Sequence, residues 1–194
     1  MTTLSQISYQ NALALFTQPD NTRLLNRIQR GIEKEGLRCT SKGMISQKPH
    51  PKGLGSTLTH PSITTDYSEA LLEFITPVFA SAHEAQAYLN IAHRFAYKQL
   101  DGELIWPASM PCIVNGEMSV PIADYGSSNV GRLKHVYRHG LWHRYGRIMQ
   151  TISGIHYNFS MPDDIWPVLA KADGMEIDSE NPRQMQNYIS ARYF

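Results

Sequence analysis

The sequence predicts an α+β fold built on a mostly antiparallel sheet with flanking helices. Residues 28–39 and 146–161 have the length and pattern of long strands, whereas residues 81–100 and 128–144 have the pattern of helices. Helices and strands do not alternate regularly along the chain, as they do in proteins with a parallel sheet. These observations together favour antiparallel pairing.

The first half of the chain contains one helix and several short extended segments. Glycine, proline, serine and threonine dominate the segment HPKGLGSTLTHPS, which indicates a loop. The predicted elements are a helix over 5–17, a strand over 28–39, a turn at 41–43 into a strand at 44–47, the loop over 50–62 and a strand over 70–77.

The second half is richer in helix. Ser81 and Glu84 have the spacing of a capping box, and Asn181 followed by Pro182 marks another helix start. The predicted elements are a helix from 81 to about 100, the short strand ELIWP, a helix over 128–144, a long strand over 146–161, and helices over 163–172 and from 181 to the end. The last helix has no stop signal, so we expect the chain to end inside an element.

Composition narrows the possible functions. A chain of 194 residues with 42% hydrophobic and 18% charged residues suits one globular domain or the larger part of one. Its net charge of +1 gives no electrostatic reason to expect binding to nucleic acid or to an acidic membrane. We find no signal peptide, no membrane-spanning segment and only two cysteines, and we therefore expect a cytoplasmic protein.

Two acidic residues alternate in the segment RGIEKEGLR. On a strand, Glu33 and Glu35 point to the same face, about 7 Å apart at a rise of ~3.3 Å per residue. Carboxylates that close repel each other unless both are solvated or a cation lies between them. Taken alone, the segment favours a solvated strand face, since most charge runs are solvated.

A second acidic pair occurs in TTDYSEALLEFITP. Asp66 precedes the predicted strand, and Glu73 lies within an otherwise apolar run. A glutamate in that position is costly to bury unless it is paired or bound to a metal. A place at the sheet edge or a salt bridge to an arginine explains Glu73 equally well.

The segment RIMQTISGIHYNFSMP carries a third group of polar residues. If it forms one strand, Gln150, Gly154, His156 and Asn158 share a face whose opposite side is apolar. Glycine at position 154 lets a ligand approach the backbone closely. A hydrogen-bonded structural histidine is the ordinary alternative for His156.

Three histidines on the predicted helix over 128–144 suggest zinc at first sight. His135, His139 and His143 fall on one helix face, and a pair four residues apart can bind zinc. The outer two are about 12 Å apart at ~1.5 Å per residue, so the three cannot share one ion. A zinc hydrolase is therefore a minor alternative. The chain also has no phosphate-binding glycine motif.

Five segments, RGIEKEGLR, ITTDYSEALLEFITP, WPASMPC, YGSSNVGRLKHVYRHGL–RYG and MQTISGIHYNFS, resemble glutamate–cysteine ligase in their order and spacing, over roughly residues 24–161. The resemblance is to the gamma-proteobacterial form. It implies a curved, mainly antiparallel, glutamine-synthetase-like sheet. It also implies an ATP-dependent ligase, with Mg²⁺ or Mn²⁺ as cofactor, that joins the γ-carboxylate of L-glutamate to the amine of L-cysteine through γ-glutamyl phosphate. This reaction is the first step of glutathione biosynthesis.

The resemblance also implies roles for individual residues. The expected metal ligands are Glu33, Glu35, Asp66, Glu73 and His156. Tyr67 and Tyr137 match positions that line the cysteine pocket, Gln150 and Arg138 match substrate contacts, and Asn158 matches a nucleotide contact. Gly36 replaces the threonine or serine expected after the second glutamate.

Length is the main departure from the family. Its members are more than twice as long, so residues 1–194 resemble the N-terminal part of a single catalytic domain. We expect the missing C-terminal part of the same enzyme to supply a further metal-binding glutamate and a substrate-binding arginine, and the isolated chain to be inactive as a ligase. A non-catalytic metal- or amino-acid-binding fragment, or a degenerate homologue, is the alternative.

Overall fold

The computed structural model describes residues 9–176, 178 and 180–193. Its helices are α1 (Tyr9–Phe16), α2 (Pro19–Leu25), α3 (Ala82–Tyr97), α4 (Asn129–Tyr145), α5 (Ile165–Ala172) and α6 (Pro182–Tyr193). Its strands are β1 (Gln29–Cys39), β2 (Ile63–Thr65), β3 (Leu71–Ile75), β4 (Leu104–Ile105) and β5 (Ile155–Ser160). Single 3-10 turns lie at Lys52–Leu54, Glu117–Ser119 and Met149–Thr151.

The backbone divides into two compact units. One unit comprises Met1–Gln29 with Phe159–Phe194, and the other comprises Arg30–Asn158. In the first unit, Ile165, Trp166 and Leu169 of α5 form a core with Tyr188 of α6. The second unit contains most of the sheet and every residue singled out above as a site candidate.

The sheet is mostly antiparallel, as the sequence predicts. The described strands form one five-stranded sheet in the order β2-β3-β1-β4, with β5 also paired to β1. The β1/β3, β1/β4 and β2/β3 pairs are all antiparallel. The eleven-residue β1 is therefore the centre of the sheet, and it brings the two glutamates of RGIEKEGLR beside β3 and β5.

The two faces of β3 differ in polarity. Leu72 and Phe74 are fully buried and pack with Ala92 and Ala96 of α3. Because side chains alternate along a strand, Glu73 points to the face that α3 does not cover. The alternation thus fixes one apolar face under α3 and leaves the acidic residue on the other face.

Gly36 is explained by close packing inside the sheet. A Cβ atom built at this position would lie 2.7 Å from Cγ2 of Ile105 on β4. A threonine or serine here would collide with that side chain. The departure from the family pattern therefore accompanies a bulky isoleucine on the neighbouring strand.

The predicted strand over 146–161 is wrong in its first half. Met149–Thr151 is a 3-10 turn, and only Ile155–Ser160 forms a strand. The turn is stabilised by the carboxylate of Glu117, which accepts hydrogen bonds from the amides of Arg147 and Ile148. Gln150 therefore does not share a strand face with His156 and Asn158.

Other sequence predictions are confirmed in part. The turn after β1 is present, but residues 44–47 make only isolated bridges, between Ile45 and Cys39 and between Met44 and Ile113.

One of the two predicted helix caps is present. Asn181 caps α6 by accepting a hydrogen bond from the amide of Gln184 at 3.3 Å, whereas α3 begins after Ser81 without a side-chain cap. Residues 5–8 of the first predicted helix lie outside the described residues. The sequence did not predict α2 or β2.

Within the described part of the chain, every helix is too short or too polar to cross a bilayer.

Candidate active site

Four carboxylates and one imidazole gather on the face of the sheet that α3 does not cover. Glu33 and Glu35 come from β1, Glu73 from β3, Asp66 from the connection after β2, and His156 from β5. Glu35 and Glu73 are direct cross-strand partners. We call these five residues, Glu33, Glu35, Asp66, Glu73 and His156, the acid cluster.

Two side chains of β5 hold the carboxylate of Glu33. His156 Nδ1 lies 3.2 Å from Glu33 Oε2, and Asn158 Nδ2 donates to Glu33 Oε1 at 2.9 Å. The hydrogen bond with Glu33 raises the pKa of His156. Each oxygen of the Glu33 carboxylate therefore has one partner on β5. The two partners, His156 and Asn158, lie on the same face of the strand, as the sequence predicts.

A glycine holds the carboxylate of Glu35. The amide of Gly154 donates to Glu35 Oε2 at 2.7 Å, and the amide of Glu35 donates to the carbonyl of Gly154 at 3.0 Å. A Cβ atom at position 154 would lie 3.6 Å from Glu35 Oε2 and 3.9 Å from His156 Nε2. The absence of that atom leaves the space between Glu35 and His156 open.

The negatively charged carboxylates of the acid cluster repel one another. Burial, together with the charges of Asp66, Glu35 and Glu33, raises the pKa of Glu73 to about 7. Burial also raises the pKa of Glu35, while the Gly154 hydrogen bond lowers it and the Asp66 charge raises it. Among the described residues, no lysine or arginine forms an ion pair with these four acids. The cluster is therefore short of positive charge.

The donor set suits a hard divalent cation, although the side chains do not form a finished coordination sphere. Carboxylate oxygens are the ligands that Mg²⁺ prefers, and a divalent ion relieves repulsion among them. Across the described residues, no three His, Cys, Asp or Glu side chains converge closely enough to hold an ion as they stand.

The other predicted site residues lie in varied surroundings. Tyr67 is buried, and its hydroxyl has no hydrogen-bond partner among the described residues. Arg138 is buried too, where its Nε donates to the carbonyl of Asp66 at 2.6 Å. Tyr137 is exposed on α4, and Gln150 is half-buried on the 3-10 turn.

One residue near the cluster was missed by sequence reasoning. The hydroxyl of Tyr125 contacts the carbonyls of Thr65 and Asp66, next to the acid cluster. Tyr125 belongs to the segment YGSSN, but no periodicity or ligand spacing distinguishes it from any other core aromatic residue. Only the fold reveals what it contacts.

The helix histidines pack as aromatic rings. The rings of His135 and His139 are 4.5 Å apart, and His143 stacks on Trp142 with ring centroids 5.0 Å apart. Among the described residues, these three histidines form no group that could hold a metal ion. Their spacing therefore has a packing explanation.

Comparison with known proteins identifies the family. The family model for glutamate–cysteine ligase matches residues 13–194, a wider range than the motifs suggested. Glutamate–cysteine ligases of Alcanivorax borkumensis and Pseudomonas aeruginosa strain LESB58 are 54% and 55% identical over 175 and 178 residues, 90% and 92% of this chain. These alignments cover only 32% and 34% of the relatives, so the chain spans about one third of their length.

Solved structures agree with this assignment. The crystal structure of glutamate–cysteine ligase from Francisella tularensis in complex with AMP has a TM-score of 0.73 and 45% identity, covering 77% of this chain and 30% of that one. A bifunctional glutathione synthetase from Pasteurella multocida has a TM-score of 0.71 and 31% identity, covering 85% and 21%. The chain belongs to the glutamate–cysteine ligase family.

Proposed function

We propose that this chain supplies the metal-binding part of an ATP-dependent ligase that joins the γ-carboxylate of L-glutamate to the amine of L-cysteine. The reaction passes through γ-glutamyl phosphate and is the first step of glutathione biosynthesis. The observation that carries the proposal is the acid cluster, in which four carboxylates share one sheet face without a lysine or arginine ion pair among the described residues. The AMP bound to the Francisella tularensis relative supports nucleotide use.

The charge of the cluster explains why a cation belongs there. When bound, Mg²⁺ neutralises the negative charge that gathers as a phosphoryl group moves from ATP to a carboxylate. Glu33, Glu35, Asp66, Glu73 and His156 are the proposed ligands. Burial and neighbouring charges raise the pKa of Glu73, so its charged form is disfavoured in this fold, and a bound cation would offset that cost.

The residues of β5 and the residue before it hold the acids in place. His156 and Asn158 direct the two oxygens of Glu33, and Gly154 directs Glu35. The side-chain amide of Asn158 is therefore hydrogen-bonded to Glu33. To contact the nucleotide as proposed, this amide has to interact with a group other than Glu33.

The remaining roles follow the family pattern. We propose that Tyr67 and Tyr137 line the cysteine pocket and that Gln150 and Arg138 contact substrate. The buried hydroxyl of Tyr67, which has no hydrogen-bond partner in the described part of the chain, suits a polar ligand, since buried polar groups are normally satisfied.

Metal binding is tested on the 194-residue chain by titration with Mn²⁺ in a calorimeter. Replacing Glu33 or Glu35 by glutamine should weaken Mn²⁺ binding by at least about tenfold, because each change removes a charged oxygen ligand. Glu84→Gln is the matched control, since Glu84 is exposed in the first turn of α3. Equal affinities in all four proteins would refute a metal centre at the acid cluster.

Ligase activity is tested by coupled ADP release with L-glutamate and L-cysteine. We propose that the isolated chain binds metal without turnover, so cysteine-dependent ADP release by it would overturn that part of the proposal. A chimaera with the unmatched portion of the Pseudomonas aeruginosa relative should release ADP, and Glu35→Gln should abolish this. A chimaera that binds Mn²⁺ but releases no ADP with any amine would favour a metal- or amino-acid-binding function without catalysis.

A further inference from the structure

We propose that Tyr125 is a positioning residue for Asp66, fixing the Asp66 peptide so that its carboxylate faces the acid cluster. The inference rests on the proposed function, because it concerns the same metal centre. It assigns a role to a residue outside the predicted ligand set.

The hydroxyl of Tyr125 contacts two successive backbone carbonyls. It donates to the carbonyl of Thr65 and lies 3.0 Å from that of Asp66, while Thr65 Oγ1 donates to it at 3.3 Å. Successive carbonyls of an extended strand point in opposite directions. Their convergence on one hydroxyl therefore marks the point where the chain bends at the end of β2, and Asp66 is the first residue beyond the strand.

Tyr125 is itself held firmly. Its ring is buried, with Lys134 Nζ 4.8 Å and the Arg138 guanidinium carbon 4.6 Å from the ring centroid. A Cβ atom at Gly131 of α4 would lie 2.5 Å from the carbonyl oxygen of Tyr125. Only glycine permits this close approach of α4, which packs directly on the Tyr125 backbone.

The backbone is what sets the direction of Asp66. Among the described residues no hydrogen-bond donor reaches its carboxylate, whereas its amide donates to Leu71 at 3.1 Å and its carbonyl accepts from Tyr125 and Arg138. Beyond the effect of burial, the negative charge of Asp66 contributes to the raised pKa of both Glu35 and Glu73. A carboxylate without donors of its own depends on these main-chain contacts for its position.

The test compares Tyr125→Phe with Tyr88→Phe in the 194-residue chain. Tyr88 also uses its hydroxyl in a partly buried hydrogen bond, 2.7 Å from Ser62 Oγ, so both changes remove one hydroxyl contact. Calorimetric titration with Mn²⁺ should show binding about tenfold weaker for Tyr125→Phe, the usual effect of losing a residue that orients a ligand, and unchanged for Tyr88→Phe. Thermal unfolding without metal reports the structural cost of each change.

Each outcome is decisive. Equal Mn²⁺ affinity in Tyr125→Phe and the unsubstituted chain overturns the inference, as does equal weakening in both variants, which indicates a general structural effect. If the unsubstituted chain binds no Mn²⁺, the proposed metal centre is refuted. Amide hydrogen exchange then tests, independently of metal, whether Tyr125 positions Asp66. Faster exchange at Asp66 in Tyr125→Phe and not in Tyr88→Phe supports the contact, and identical rates refute it.

Discussion

Glu35 and Glu73 face each other directly across β1 and β3, as register partners in an antiparallel pair. Carboxylates in that relationship are unfavourable, since like charges directly opposite destabilise a sheet. The fold leaves this repulsion in place, and the pKa of Glu73 rises to about 7 through burial and then through the charges of its neighbours. This repulsion is the physical reason for proposing a cation between the two strands.

Removing the charge of Glu73 should stabilise the chain at neutral and higher pH. The pKa of Glu73 is about 7 in the folded chain, against 4.5 for a solvated glutamate, so folding disfavours its charged form. The neutral carboxyl group of Glu73 makes its full contribution to the free energy of unfolding below pH 4.5, and this contribution is lost as pH rises towards 7. Glu73→Gln should therefore raise Tm by a few degrees at pH 8 and change it little at pH 4.5, as measured by circular dichroism.

Glu84→Gln is the control for this change. Glu84 is exposed in the first turn of α3, where a negative charge is favourable, so this variant should show no gain in Tm at pH 8. Saturating Mn²⁺ should stabilise the unsubstituted chain more than Glu73→Gln. A Tm for Glu73→Gln below that of the unsubstituted chain at pH 8 would contradict the repulsion argument.

The sequence allowed part of the acid cluster to be predicted on physical grounds. Alternation in a strand placed Glu33 and Glu35 on one face, and the same rule placed His156 beside Asn158. It could not decide whether Glu73 was ion-paired, because strand pairing is a non-local property. The family resemblance predicted Asp66 as a ligand, and in the structure its charge acts on Glu35 and Glu73.

Other parts depended on contacts that no local pattern contains. Gln150 was expected on a strand, but Glu117, 33 residues earlier in the chain, stabilises a turn there instead. The role inferred for Tyr125 depends on the close packing of α4 at Gly131, which periodicity does not report.

A methyl group at position 154 should weaken metal binding without harming the fold. Gly154 has no positive φ, and an added Cβ would make only ordinary contacts, at 3.6 Å from Glu35 Oε2 and 3.9 Å from His156 Nε2. Gly154→Ala should preserve or slightly raise Tm because it reduces the entropy of the unfolded chain. The methyl group nevertheless occupies the space between two proposed ligands, so calorimetry should show Mn²⁺ affinity reduced severalfold.

Gly140→Ala provides the matched control. Gly140 lies in α4 with no heavy atom within 4 Å of an added Cβ, so alanine there should stabilise the helix by about 0.5–1 kcal/mol. Its Mn²⁺ affinity should equal that of the unsubstituted chain. Unchanged affinity in Gly154→Ala as well would show that the space beside Glu35 is not used by the metal.

His50 should make the chain sensitive to mild acid. Burial lowers the pKa of His50 to about 4, assisted by the charge of Arg38, and neither ring nitrogen has a hydrogen-bond partner among the described residues. The unfolded chain binds the proton with a pKa near 6.5, so stability from neutral His50 is full above that value and is lost as pH falls towards 4. His50→Gln should lose less Tm between pH 7 and 5 than the unsubstituted chain.

The comparison must separate His50 from other groups that titrate in the same range. His83→Gln changes an exposed histidine of α3 and should leave the pH dependence of Tm as it is. Thermal unfolding of the three proteins between pH 4.5 and 7.5 gives the difference directly. Parallel curves for His50→Gln and the unsubstituted chain would show that His50 is not protonated on unfolding.

Breaking the buried ion pair of Arg38 and Glu103 should be among the most destabilising changes in the sheet unit. Their side chains are 0% and 5% exposed, and Arg38 Nη1 lies 2.7 Å from Glu103 Oε2. Arg38 also donates to the carbonyls of Lys48 and Glu69. Arg38→Met leaves Glu103 charged, buried and without its arginine, which typically costs about 3–5 kcal/mol.

The control is Arg23→Ala, which breaks a fully solvated ion pair with Asp20 and should cost less than about 0.5 kcal/mol. Urea denaturation measures both, and Arg38→Met combined with Glu103→Leu should recover part of the loss. A single-variant cost below about 1 kcal/mol would mean that Glu103 is solvated or protonated when Arg38 is absent.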